Sequence, residues 1–270
     1  MKNNQILTFI ERIKKEATYK KIVKVEIIHE LINLFRQYNC IKLDYSKIVE
    51  NPIEMALQFY KDYNIKYYKM IMDGINCKKI IINYSKSKSF IDTKNNDLFI
   101  NLNGNDSDIF MIVHELAHYI DRNSIPQIIP DEYWFLSEVF SFYMERNLEF
   151  WLTNKNLENL NIIRRNNRLY YEIKMLNAID NELYYEELYN KKGTIEEQDI
   201  DFERIKEIEN YNEFNLINYL LQYPLANIIS NYLIEQNIKI KDNEFVKKCL
   251  NLDLYELLKG VSNKMIFSKR

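Results

Sequence analysis

The stretch "MIVHELAHYID", residues 111–121, sets His114 and His118 four positions apart with Glu115 between them. On an α-helix, positions i and i+4 share a face, so both imidazoles can direct a ring nitrogen at one ion. Glu115 lies one step round and approaches the same ion from the side without ligating it. This is the H-E-x-x-H arrangement, in which two histidines hold zinc and the glutamate is the general base for a water. The whole chain has only 3 histidines, so the pairing does not come from abundance. Met111, Ile112, Val113, Leu116, Ala117 and Ile120 are apolar and would carry this helix into the interior. Two imidazoles buried there without a partner would be costly. The expectation is one Zn2+ per chain, held by His114 and His118, with Glu115 as the catalytic base.

A catalytic zinc normally takes three protein ligands and keeps one position open. His29 is far upstream, so the third ligand should be a carboxylate, from Asp121, Glu132, Glu138 or Glu145. Asp121 follows His118 by three on the same helix, which suits a hydrogen bond to a ligand better than ligation. Glu138 stands in "FLSEVFSFYMERN", an apolar helical stretch in which a lone carboxylate needs a reason. Its alternative is a buried pairing with an Arg or a Tyr. Glu145 lies two turns further along the same face, as an outer partner of a ligand or as a solvated carboxylate.

The elements that must position these residues read as mainly helical. Gly and Pro number 4 each, too few for many tight turns. Residues 4–38 carry two amphipathic helices. "NPIEMALQFYKDYN" begins with Pro after Asn, a usual helix entry, and "IKYYKMIMDGIN" continues to about Gly74. "KKIIINYSKSKSFIDTKNNDLFINLNGND" is β-branched and partly alternating, and predicts a short hairpin or small sheet over about 79–103 with a turn at 94–97. Within it, "LFINLN" reads as an edge strand beside the zinc helix. Phe99, Ile100, Asn101 and Leu102 could then bind an extended peptide by strand addition. The zinc helix should start near 107, capped by Asp106 or Ser107. Further helices are expected over 131–152, over 155–210 with a break near Lys192-Gly193, and over 213–236, where Pro224 marks a kink or a start. A short helical part closes the chain. No repeat or linker divides residues 1–270, which read as one domain.

A net charge of −2 offers no electrostatic case for nucleic acid or an anionic membrane. No apolar run approaches the roughly 20 residues needed to span a bilayer. The first residues lack a signal-peptide core, and Cys40, Cys77 and Cys249 are odd in number and scattered. These features predict a cytoplasmic protein.

"FINLNGNDSDIFMIVHELAHYID" followed by "LSEVFSFYME" resembles the catalytic core of the oligoendopeptidase F and thimet oligopeptidase family of zinc metallopeptidases. Glu138, Ser141 and Glu145 fall on that family's second helical pattern. The resemblance therefore implies Glu138 as the third ligand and Glu145 as an outer partner. "INYLLQYPLANIISNYL" is similar to the family's tyrosine-bearing segment. Tyr219 and Tyr223 would there donate hydrogen bonds to the oxyanion of the tetrahedral intermediate. The likeness spans roughly residues 52–236 and covers only the catalytic half of longer chains, which motivates the expectation of a homodimer that rebuilds a channel wall.

The sequence departs from the family in four places. Ala117 replaces a glycine, and Asp121 replaces a frequent histidine. Glu213 or Phe214 stands where a histidine often precedes the tyrosines, and the glycine-rich loop is not evident. The fold class implied is a helical zinc-metallopeptidase core with a small β region, and the function a metalloendopeptidase or oligopeptidase. A zinc-holding peptide-binding or regulatory module without turnover is the alternative, and a helical interaction protein with a coincidental motif the third reading.

Overall fold

The computed structural model describes residues 2–19, 21, 23–46, 49–85, 87–92, 94–124, 136–211 and 215–236. The expectations for Glu132, for Glu213 and Phe214, and for the last helical part fall outside them. Among the described residues the chain is mainly helical, with one small sheet. The helices are α1 (Lys2–Glu16), α2 (Val25–Phe35), α3 (Pro52–Tyr63), α4 (Ile65–Asn76), α5 (Ser107–Ser124), α6 (Leu136–Thr153), α7 (Glu158–Lys192), α8 (Phe202–Glu209) and α9 (Leu216–Glu235). The strands are β1 (Ile80–Tyr84), β2 (Phe90–Asp92) and β3 (Asp97–Leu102).

The entry to α3 follows the sequence signal. Asn51 accepts from the Glu54 N–H at 3.1 Å and returns a bond to the Glu54 carboxylate, with Pro52 at the first helical position. α5 starts at Ser107 as expected, but the side chain that accepts from its first N–H is that of Asn105, not of Asp106 or Ser107. Asn105 Oδ1 accepts from the Ser107 N–H, while the Asp106 carboxylate holds Ser46 Oγ at 2.8 Å and the Val49 N–H at 2.7 Å. Asp108 accepts from the N–H groups of Asn103 and Gly104, so the strand-to-helix corner before the histidines is fully tied down.

α4 runs past Gly74 to Asn76. The glycine does not end the helix; it lets another element come close. A Cβ at position 74 would meet Ile80 Cδ1 at 2.7 Å and the Tyr119 hydroxyl at 2.8 Å. Tyr119 lies on α5, so this contact sets the distance between α4 and the histidine helix. Gly74→Ala should lower stability by about 1–2 kcal/mol, overpacking outweighing the better helix propensity of Ala. Urea denaturation checks this; an unchanged or raised midpoint would show that the contact yields freely.

The sheet order is β1-β3-β2, with β1 parallel and β2 antiparallel to β3. The expected hairpin is present as β2–β3, turning through Asn96 at a φ of 58°. β3, however, is the central strand and not an edge. It is the most buried of the three, whereas β1 and β2 each leave residues exposed. An apolar strand buried this completely gains most with a neighbour on each side.

α5 lies in the middle of the molecule, packed by β3, α3, α4 and α6. Tyr60 of α3 is fully buried, and its hydroxyl donates to the Val113 carbonyl at 2.7 Å, one residue before His114. α6 packs most closely on α9 and α5. α9 is buried nearly all round and carries Pro224 inside it, so the proline starts nothing. The start of α9 is capped from afar: the Glu16 carboxylate accepts from the N–H groups of Asn215 at 2.8 Å and Leu216 at 3.1 Å.

The break near Lys192-Gly193 is present, with Gly193 left-handed at a φ of 76° as the C-cap of α7. α7 differs from a solvated charged helix. It buries Arg168, Glu172, Glu182 and Glu186 against its neighbours. Burial pushes Glu172 up to about 7, outweighing Arg168, and pushes Glu182 up to about 7, outweighing Arg12. Both folded-state pKa values lie above the ordinary 4.5. The folded chain therefore binds these protons more tightly, and the associated stability is full at low pH and lost as pH rises through about 7. Glu172→Gln should flatten this loss. Chemical denaturation at pH 5 and pH 8 reads the effect, and an unaltered difference between the two would refute it. No described helix is long and apolar enough to cross a membrane.

Candidate metal centre

From Asp108 to Asp121, the residues of α5 that are not buried are Met111, His114, Glu115 and His118. They are spaced i, i+3, i+4, i+7 and form one open stripe on an otherwise enclosed helix. The other faces bury Ile109, Phe110, Ile112, Val113, Leu116, Ala117 and Ile120. The hydrophobic pattern thus orients the helix, and orientation alone brings both histidines and Glu115 to the same side.

His114 Nε2 and His118 Nε2 face each other at 3.1 Å, their rings crossed at 81°. Glu138 Oε2, from the first turn of α6, lies 3.2 Å from His114 Nε2 and 3.5 Å from His118 Nε2. That oxygen is buried and has no hydrogen bond of acceptable geometry among the described residues. Three ligand-type atoms therefore converge on one point and leave an acceptor orphaned. Tetrahedral zinc with ligand distances of about 2.0–2.1 Å separates its donors by roughly 3.3 Å, which matches this spacing. Two imidazoles and a carboxylate also suit zinc by ligand type. The residues present fit the ion.

The electrostatics of the cluster agree with that fit. Burial alone would lower the His114 pKa, but the carboxylates of Glu138 and Glu145 beside it outweigh it and raise it to about 10. Burial would raise the Glu138 pKa, but the positive charges of His118 and His114 hold it well below the usual carboxylate range. The carboxylates therefore favour positive charge at this point.

Glu145 is the outer partner that the spacing allowed. It is fully buried, and His114 Nδ1 lies 2.8 Å from its Oε1. A solvated Glu145 is excluded. Asp121 is buried three residues beyond His118, at the end of the open stripe. Tyr219 and Tyr223 lie on α9 with ring centroids 6.1 Å apart. Burial raises the Tyr223 pKa, and the nearby charge of Glu138, with a smaller part from Glu115, raises it further, so Tyr223 stays protonated. His29 is remote and pairs with Glu187 at 3.7 Å.

The edge-strand expectation for Phe99, Ile100, Asn101 and Leu102 needs correction. Their strand pairs with β1 along its length, and Phe99 is matched with Phe90 on the other side. Beyond the end of β2, the Asn101 N–H donates to Ser89 Oγ at 3.0 Å. Strand addition to β3 itself would have to displace what is already there. The outer edge on that side belongs to β2 and residues 88–89, and Ser89 Oγ donates to Met111 Sδ, at the end of the open stripe, at 3.7 Å.

Two site residues were not singled out from the sequence. Arg164 and Arg168 of α7 both reach Glu145, through Arg164 Nε at 2.8 Å and Arg168 Nη2 at 2.5 Å. Their i, i+4 spacing in "RRNNR" was the available signal, but on a charged helix it reads as a solvated face.

Comparison with models of protein families, with curated proteins and with solved structures yields no match to this chain.

Proposed function

We propose that the protein is a zinc-dependent peptidase that hydrolyses peptide bonds, with His114, His118 and Glu138 holding the metal and Glu115 as general base. The observation that carries this reading is the convergence of two imidazole nitrogens on an orphaned buried carboxylate oxygen, with a second carboxylate beside them on the open face of α5. Bound zinc would supply Lewis acidity toward the scissile carbonyl and toward the attacking water. Glu115 takes a proton from that water and passes it to the leaving amine. A purely structural metal site has no use for such a base.

Tyr223, kept protonated, and Tyr219, one turn before it on α9, donate hydrogen bonds to the oxyanion that develops on the carbonyl. Tyr223→Phe should lower kcat by about 10²-fold with KM little changed. A variant with the wild-type kcat would remove Tyr223 from the chemistry. Extended peptides would lie along the β2 edge and residues 88–89, which border the open stripe at Met111.

The test is mass spectrometry of a diverse peptide mixture incubated with zinc-loaded protein, with Glu115→Gln beside it. New cleavage products from the native chain alone support the reading. Stoichiometric zinc with no products from either would favour a zinc-holding peptide-binding module instead.

A further inference from the structure

Resting on the zinc reading above, we infer that Arg164 and Arg168 are positioning residues of the metal centre, acting through Glu145 from a helix that carries no ligand. The division of the Glu145 carboxylate is the central observation. Oε1 faces His114 Nδ1, while Oε2 receives both Arg164 and Arg168. A guanidinium only donates, so it compels Glu145 to be an ionised acceptor. An ionised Glu145 in turn compels His114 to carry its proton on Nδ1. The lone pair of a neutral His114 is then on Nε2, the atom that points at His118 and Glu138. The two arginines thus select, through Glu145, the tautomer that can ligate.

Each arginine is itself fixed by a ring next to His114. The Arg168 guanidinium lies 4.6 Å from the Phe142 ring centroid, and that ring is 5.6 Å from the His114 ring. Arg164 lies 5.6 Å from Phe110, one turn before His114 on α5. Glu145 and Arg168 are both almost wholly buried, so water cannot replace either partner. A lysine would keep the charge but not the planar fork or the stacking.

Zinc dissociation constants from chelator competition test the inference on folded chains, with the visible spectrum of the Co2+-loaded protein as a second readout. Arg168→Met and, at the more accessible position, Arg164→Gln should each weaken zinc by about 10-fold, within the 10–100-fold range for partners of ligating histidines. Arg168→Lys should recover part of the loss. Adding Glu145→Gln to Arg168→Met should cost less than Glu145→Gln costs the native chain, because both act on the same bond. The Co2+ spectra of Arg168→Met and Glu145→Gln should change alike.

Folded variants with the native zinc constant and Co2+ spectrum would overturn the inference, as would losses that simply add. If Arg168→Met fails to fold, Arg164→Gln and Arg168→Lys decide. A native chain that binds no zinc would instead overturn the metal reading itself.

Discussion

Glu115→Gln should keep one zinc per chain and lose peptide hydrolysis by about 10²–10⁴-fold, the range for removing a positioned proton acceptor. The geometry separates the two effects. Glu115 is not among the three groups whose atoms converge, so an amide in its place leaves the ligand set intact. It stands on the same open face of α5 as both histidines and close enough to Tyr223 for its charge to be felt there. Gln has nearly the same shape but cannot accept and relay a proton. Metal content and steady-state kinetics measured on one preparation decide the matter. A variant that hydrolyses at the native rate would exclude Glu115 as base. A variant that loses its metal would make Glu115 a ligand.

Glu138→Ala should weaken zinc binding by more than about 100-fold, beyond the loss expected from an outer partner. Among the described residues outside α5, Glu138 is the one whose carboxylate groups with both histidines, its Oε2 within 3.5 Å of each Nε2. With zinc at a thousand times the native dissociation constant, binding to the folded state contributes about 4 kcal/mol, which raises Tm by several degrees. The variant, weakened by more than about 100-fold, should show less than about a third of this rise at the same zinc concentration. Without metal, it also leaves His114 with Glu145 as its remaining carboxylate partner among those that raise its pKa, so that pKa should fall from about 10. Calorimetric scans with zinc and with a chelator check the Tm effect. A native-like zinc-dependent rise would strike Glu138 from the ligand set.

Much of the site was legible because its spacing is local. A four-residue separation on a helix puts His114 and His118 together wherever that helix lies in the fold. The apolar residues around them also say which faces are buried. Glu138 was legible for a different reason: a carboxylate in a long apolar run is costly unless something claims it. Local signals likewise set the Asn51-Pro52 helix entry and the Gly193 stop.

Other features were not local. The centrality of β3 depends on which strands find it, and strand order is a matter of long-range pairing that alternation cannot report. Gly74 read as a stop because its reason, the Tyr119 ring and Ile80 side chain against it, lies in other elements. The buried charges of α7 could not be read from its own pattern because their partners lie on other elements, Glu145 for Arg164 and Glu149 for Arg165.

The sequence by itself therefore determined the mainly helical class, the helix that carries the two histidines and Glu115, and the few carboxylates from which a partner for them could come. All of these follow from the 3.6-residue period and from the cost of burying unpaired polar groups. Only the tertiary structure decided that Glu138 faces both histidines, that Glu145 is clamped by two arginines, that Tyr223 feels the charges of Glu138 and Glu115, and that β3 is enclosed. These depend on how separate elements meet. Such meetings are set by the close packing of apolar faces across the whole core, and no short window of sequence contains them.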